Sequence, residues 1–420
     1  MDDLPIGRRV AYWRGRRKMS QQVFADRLGK SKSWVDKVER GVRRLDKFSV
    51  VYEIADVLQL DVQLLLGREP ERRADTVGCI DQVEVEEIRA ALEHYEQISA
   101  FFYDPPEPPP LPELRKAVGH AWQTYQHAKY GVLARALPKL LRDAQAADAA
   151  HAGTEAGQDA AHQLAQVYQL ASSVLRKLGE LELSWLAADR SIAVAQRTGD
   201  ALLAGIATYR VALALMALGR GRPALEINVN IANRLAPGND GEPTTPARLS
   251  VYGMLLLQGA MAAARIGDGA SVRDLLTAAE DAARGLGGDQ NHYWTSFGPT
   301  NVQLHRAAAA VEMGDGRVAV DCHERMDPDG FGALLPERRA HHYLDIARGF
   351  AQVGDVDRAS EMLLEGDRLA PTDIRCRPIA REVLSDVLRR TRGTPPQPLA
   401  ELAEHMGVWS AAQTGTSGVS

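Results

Sequence analysis

Lys32, Ser33, Lys37 and Arg40 fall on one side of the segment Lys32-Ser33-Trp34-Val35-Asp36-Lys37-Val38-Glu39-Arg40, and Val35 and Val38 fall on the other. At helical spacing this turns three cations and a hydroxyl outward above an apolar seal, a donor set suited to a polyanion. A second stretch, Asn291 to His305, breaks an Ala/Leu texture with aromatics, amides and two histidines. A ligand concavity needs aromatic walls and a few oriented polar groups, and this stretch supplies both. Asn301 and His305 share a helix face at i, i+4, and an amide offers a peptide main chain both a donor and an acceptor. His292, Tyr293, Trp294, Asn301 and His305 are therefore candidate ligand contacts. The competing reading is a long loop whose aromatics only fill a gap between helices.

The elements that must position the first group are legible in order. Ile6, Val10 and Trp13 recur at i, i+4, i+7 and predict a helix to about Arg17. Ser20 is an N-cap before a helix with Phe24, Ala25 and Leu28 on one face, and Gly29 ends it. Ser31 or a neighbour opens the third helix, closed by Gly41. A fourth is expected from about Phe48, with Val51, Ile54, Ala55 and Leu58 inward, and a short fifth through Leu64, Leu65 and Leu66.

This order resembles the phage-repressor-like (XRE, Cro/C1 type) helix-turn-helix family over about the first 67 residues. The resemblance is carried by Ser20-Gln21, Phe24-Ala25, Leu28-Gly29, Ser31, Val35, Val38-Glu39-Arg40-Gly41, Ile54-Ala55 and Leu64-Leu65. It implies double-stranded DNA as the partner, with the third helix in the major groove and its N-terminal side chains at base edges. Carried over, Lys32, Ser33, Trp34 and Lys37 are the readers, lysine donating to guanine O6 and N7. Gln21 would hydrogen-bond a phosphate, and Arg40, Arg43 and Arg44 would contact the backbone without sequence choice. The bland alternative for these charges is a solvated face. Trp34 replaces the small polar residue common there; it either touches a thymine methyl or packs against the C-terminal domain.

The charge distribution agrees. Residues 1–68 hold 15 Lys+Arg against 9 Asp+Glu, so a net charge of -5 conceals a basic head on a body of -11. Five of the nine lysines, Lys18, Lys30, Lys32, Lys37 and Lys47, lie in that head.

Beyond the head, a charged stretch between Arg68 and Asp75 reads as a hinge, and Ile80 to about Tyr103 returns to helical spacing. Asp104 to Pro110, rich in proline, must then run extended as a stiff linker. From Leu111 the chain repeats a theme in which a helix ends in an apolar-Gly-polar turn and another begins, at Gly179, Gly219, Gly267, Gly314 and Gly354, spaced 40, 48, 47 and 40 residues apart. Such lengths suit two-helix repeats, about five or six of them, stacked into a superhelix with a concave surface. The last, with Tyr343, Ala347, Gly354-Asp355, Ala359 and Ala370-Pro371, resembles a tetratricopeptide repeat (TPR). The whole order resembles the peptide-pheromone receptors of Gram-positive bacteria in architecture. In the wording of Phe297 to Val302, of Glu337-Arg338-Arg339 and of Asp345-Ile346-Ala347 it resembles actinobacterial XRE-type regulators.

Function classes are narrowed by what is missing. Hydrophobic residues at 45% and charged residues at 25% describe a globular chain, and aromatics at 6% are thin for a large β core. Cys79, Cys322 and Cys376 are scattered and odd in number, which fits a reducing cytoplasm better than a disulfide framework or zinc site. No signal peptide, membrane span, phosphate loop, His-Glu-x-x-His or Gly-x-Ser-x-Gly is legible, and Cys322-His323 and His341-His342 diverge around their helices. No catalytic residue, metal or cofactor is therefore expected.

The expectation is an all-α chain: a lambda-repressor-like helix-turn-helix domain at 1–68, a linker with one helix at 69–112, a TPR-like sensor and dimerisation array at 113–393, and a partly disordered tail at 394–420. Its function would be DNA-binding regulation as a homodimer with a peptide or small-molecule effector and no membrane. The alternative is a TPR-type interaction scaffold that its head localises to DNA.

Overall fold

The computed structural model describes residues 6–16, 19–43, 45, 50, 54, 57–58, 82–93, 107–239 and 241–408. Arg44, the hinge between Arg68 and Asp75, the fifth helix, Cys79, most of the fourth helix and the end of the tail lie outside the described residues. Among the described residues every element of more than one residue is a helix, with a single antiparallel bridge between Gln290 and Phe297. The chain is all-α and divides into two compact units, Met1–Val77 and Gly78–Ser420.

In the first unit, α1 (Ile6–Arg16), α2 (Gln21–Arg27) and α3 (Lys32–Glu39) enclose a core of Val10, Phe24, Ala25, Leu28, Val35, Ile54 and Leu58. The serines act as caps: Ser20 Oγ accepts from the Val23 N–H at 3.2 Å and Ser31 Oγ from the Trp34 N–H at 3.1 Å. Gly29 leaves α2 at φ 62°, a conformation in which a Cβ is strained. One polar network ties all three helices together. Glu39, 5% exposed, accepts from Arg14 Nε at 2.5 Å, Arg14 Nη2 at 3.0 Å and Gln21 Nε2 at 2.8 Å. Arg14, one of the charges counted toward the basic head, is thus spent inside the domain.

The second unit begins with α4 (Gln82–Glu93), which the sequence places in the linker. Its stripe of Val85, Ile88, Ala91 and Leu92 is instead buried in the body core, against α6. Six helical hairpins follow among the described residues: α5 (Leu111–Gln126) with α6 (Tyr130–Ala150), α7 (Gly157–Leu178) with α8 (Leu181–Ala195), α9 (Ala201–Ala217) with α10 (Gly221–Leu235), α11 (Pro246–Arg265) with α12 (Gly269–Leu286), α13 (Pro299–Glu312) with α14 (Gly316–Glu324), and, after the short α15 (Pro328–Ala333), α16 (Pro336–Val353) with α17 (Val356–Leu369). All five turn glycines read from the sequence have positive φ, between 76° and 85°. After α18 (Pro371–Arg375) and α19 (Pro378–Arg390), the expected tail forms α20 (Gln397–His405). Leu399, Leu402, Ala403 and Met406, spaced i, i+3, i+4, i+7, bury that segment, so its first part is packed rather than disordered.

The array does not stay open. Helix α16 returns against α5, and α18 against α6. Lys177, at the end of α7 and only 1% exposed in its side chain, donates to Glu337 Oε1 at 2.6 Å and Asp373 Oδ1 at 2.7 Å, residues 160 and 196 positions away. Arg377 adds contacts to Asp373 at 3.0 and 3.2 Å. An open concave surface is what stacking alone predicts; this buried charge cluster joins α16 and α18 to the end of α7.

Close packing also explains Phe297. Its ring is fully buried on the backbone of α11, where a Cβ on Gly253 would lie 1.9 Å from the ring tip. Gly253→Val should therefore lower stability by about 1–3 kcal/mol or more through overpacking. Gly253→Val combined with Phe297→Ala should recover part of the loss in urea denaturation, whereas additive losses would mean that the two positions do not compete for space.

Candidate functional site

The outer face of α3 carries its polar residues as the helical period requires. Lys32, Ser33, Lys37, Arg40 and Arg43 are exposed, while Val35 and Val38 are buried. Among the described residues neither Lys32 nor Lys37 has a carboxylate partner, so both ammonium groups are available. Arg40 pairs with Asp36 at 3.3 Å, a surface contact of small energy. Trp34 is half-buried on its own unit's core, with the Arg43 guanidinium 5.8 Å from its ring centroid. Gln21 has one amide N–H committed to Glu39; an amide has two, and the second remains for an external acceptor.

In the body, a cavity of about 620 Å³ is walled almost entirely by the first helices of the hairpins, α5, α7, α9, α11, α13 and α16, together with the start of α19. Seven basic side chains line it against three carboxylates. Of the sequence candidates, Trp294, Asn301 and His305 reach the wall, and His292 and Tyr293 do not. His292 Nε2 lies 2.8 Å from Gln290 Oε1, and the Tyr293 hydroxyl donates to Asp200 Oδ2 at 2.8 Å. These two hold the loop, while the other three face the cavity.

The loop is strained where it delivers Trp294. Tyr293, Trp294 and Ser296 have φ of 49°, 59° and 49°, in the left-handed region that bulky residues rarely adopt. Such residues cost about 1–3 kcal/mol each and persist where the surroundings over-determine them. Here the surroundings are a reciprocal amide pair between Asn291 and Gln126, 3.0 Å each way, and the Trp294 Nε1–H donating to Gln166 Oε1 at 3.0 Å. The indole then stacks on the buried Trp122, centroids 5.8 Å apart and planes 13° apart.

Asn301 is fully buried; its Nδ2 donates to the Ser296 carbonyl at 2.9 Å, and its Oδ1 has no partner among the described residues. His305 Nδ1 sits 2.9 Å from the Asn301 carbonyl, which can only accept, so that nitrogen carries the proton. Its Nε2 then accepts from the Gln258 amide at 3.1 Å. Sequence reasoning missed the charged part of the wall, Arg176, Lys177, Arg210, Glu337 and Arg338: four of these sit in amphipathic helices, and Arg210, the one charge in the otherwise apolar Ala201–Ala217, was the signal it could have used. It also missed that His323 and His342, on different helices, meet at 3.0 Å.

Burial holds His305 at about 4 and His342 at about 3. Unfolded imidazoles titrate near 6.5, so as pH falls from about 6.5 to about 4 only the unfolded chain gains these protons, and stability falls. Asp345, pushed up to about 6 by burial, opposes this between about pH 4 and 6. The body should be less stable at about pH 5.5 than at about pH 7.5 by roughly 2 kcal/mol in urea denaturation. Equal or greater stability at the lower pH would show that these imidazoles are not held neutral.

Residues 5–66 match a family described as a helix-turn-helix domain. No curated protein and no solved structure matches the chain. The match lies within the first unit, includes the face of α3, and stops short of the helical body. Among the described residues no helix is long and apolar enough to cross a membrane.

Proposed function

We propose that this chain is a sequence-specific DNA-binding transcription regulator, non-enzymatic and cytoplasmic, whose TPR-like body holds two copies together and binds an effector in its cavity. The observation that carries the reading is the outer face of α3. On a helix-turn-helix domain, exposed Lys32, Ser33 and Lys37 stand on the helix that enters the major groove, and both lysines are free of carboxylates among the described residues. Arg43 and Arg40 follow where the chain passes the phosphates. A single domain of this size reads few base pairs, which is the argument for a dimer on paired half-sites. Effector binding would change the spacing of the two heads by a rigid-body shift.

The test is selection of fragmented genomic DNA, including the region upstream of the protein's own gene, by the purified full-length protein at two salt concentrations. A few fragments retained at the higher salt support the reading. A flat profile that washes out uniformly would reduce the head to non-specific electrostatics. Sedimentation of the protein on a selected fragment then counts the copies bound, two being expected.

A further inference from the structure

The cavity contains a cation that the protein leaves without a counter-charge. Arg210 is 5% exposed and lines the cavity. Its guanidinium lies 4.7 Å from the Tyr209 ring centroid and 5.3 Å from that of Trp122, and its Nε has no hydrogen-bond partner among the described residues. Among the described residues no carboxylate pairs with it; burial disfavours its charge, the Tyr209 and Tyr125 hydroxyls favour it, and the nearby cations Arg338 and Arg176 oppose it. Arg176 repeats the pattern, with a buried, unpartnered Nε and no carboxylate partner among the described residues. The nearby Glu337 is already held by Lys177 at 2.6 Å and Arg338 at 3.5 Å. A buried guanidinium facing other guanidiniums is costly unless an anion completes it.

We propose that the cavity holds a small organic anion, its carboxylate seated against Arg210 and Arg176 and its apolar or aromatic body lying along Leu213, Met216, Met261 and Trp294. This rests on the reading of the cavity as the effector site and names the chemistry of that effector. Planar guanidinium forks match a carboxylate bidentately, and the aromatic rings under Arg210 fix its plane. The volume, about 620 Å³, falls within the range of small-molecule pockets. A carboxylate of this kind comes either from a free organic acid or from the C-terminus of a short peptide.

The experiment titrates the full-length protein calorimetrically with naphthalene-2-carboxylate and with its neutral carboxamide. A second pair of probes is the tetrapeptide Ala-Ala-Leu-Phe with a free and with an amidated C-terminus. Wild type, Arg210→Gln and Arg176→Gln are compared, and each is also melted without ligand. The expected result is saturable binding of at least one acid, no binding of its amide, and binding about tenfold or more weaker in both variants. Ligand-free Arg210→Gln should melt at or above the wild-type temperature, because a structural arginine would lower it and an unpaired buried charge would not. The stronger acid identifies the source, free acid or peptide terminus. Equal binding of acid and amide, undiminished binding by both variants, or no binding of either acid would overturn the proposal. No DNA is present in these titrations, so their failure leaves the regulator reading standing. Flat DNA selection beside a carboxylate-specific cavity would remove the regulator reading and leave the site.

Discussion

Lys177→Met is expected to destabilise the helical body by about 3–5 kcal/mol, the usual consequence of removing one partner from a buried ion cluster. The side chains of Lys177, Glu337 and Asp373 are 1%, 6% and 0% exposed, so water cannot replace the lost ammonium. Arg377 still neutralises Asp373 at 3.0 Å, but among the described residues Glu337 keeps only Arg338 at 3.5 Å and Arg377 at 4.0 Å. The rings of Tyr125 and Tyr130, with centroids 5.4 and 5.0 Å from the ammonium, also lose their cation. Lys177→Met combined with Glu337→Gln should recover much of the loss, since it removes the orphaned charge along with its partner. Urea denaturation reads the stabilities, and hydrogen exchange in α16 and α18 reads the closure. A loss below about 1 kcal/mol, the value of an exposed pair, would mean that the cluster does not hold α16 and α18 to α7.

This closure marks the limit of what the sequence discloses. The hairpins were legible because each glycine turn breaks a 3.6-residue pattern locally, and the caps Ser20 and Ser31 were legible because capping is a three-residue event. Lys177, Glu337 and Asp373 carry no such signature. Each is one polar position on an amphipathic helix, and only the fold-back of α16 and α18 brings them together. Arg14 and Glu39 in the first unit, 25 residues apart, were hidden for the same reason. The stretch Asn291 to His305 stood out by composition, yet composition did not separate Trp294, which faces the cavity, from Tyr293, which anchors on Asp200. The separation comes from left-handed backbone at consecutive residues, which no side-chain pattern announces. Neighbouring proline and charge place α4 as the one helix of a linker and the start of the tail in a partly disordered end, because they outweigh short apolar stripes. Those stripes have a core to cover, and burial decided.

The second large effect belongs to α3. Lys32→Ala and Lys37→Ala should each cost about 1–3 kcal/mol at a specific site and relax base choice there. Neither change disturbs the domain, since both side chains are exposed and unpaired among the described residues. Arg43→Ala should behave differently, weakening all DNA alike and lowering the salt slope by about one. The cation beside Trp34 is lost with it, and the exposed position keeps that loss small.

The measurement that tests the central claim most directly is the affinity of full-length wild type and of the Lys32→Ala, Lys37→Ala double variant for a selected fragment and for a scrambled duplex of equal length, at two salt concentrations. The account predicts that wild type prefers the selected fragment at both salts, and that the double variant, folded as judged by circular dichroism, loses that preference while retaining salt-sensitive binding to both duplexes. A double variant that discriminates as well as wild type would contradict the assignment of α3 as the helix that reads sequence.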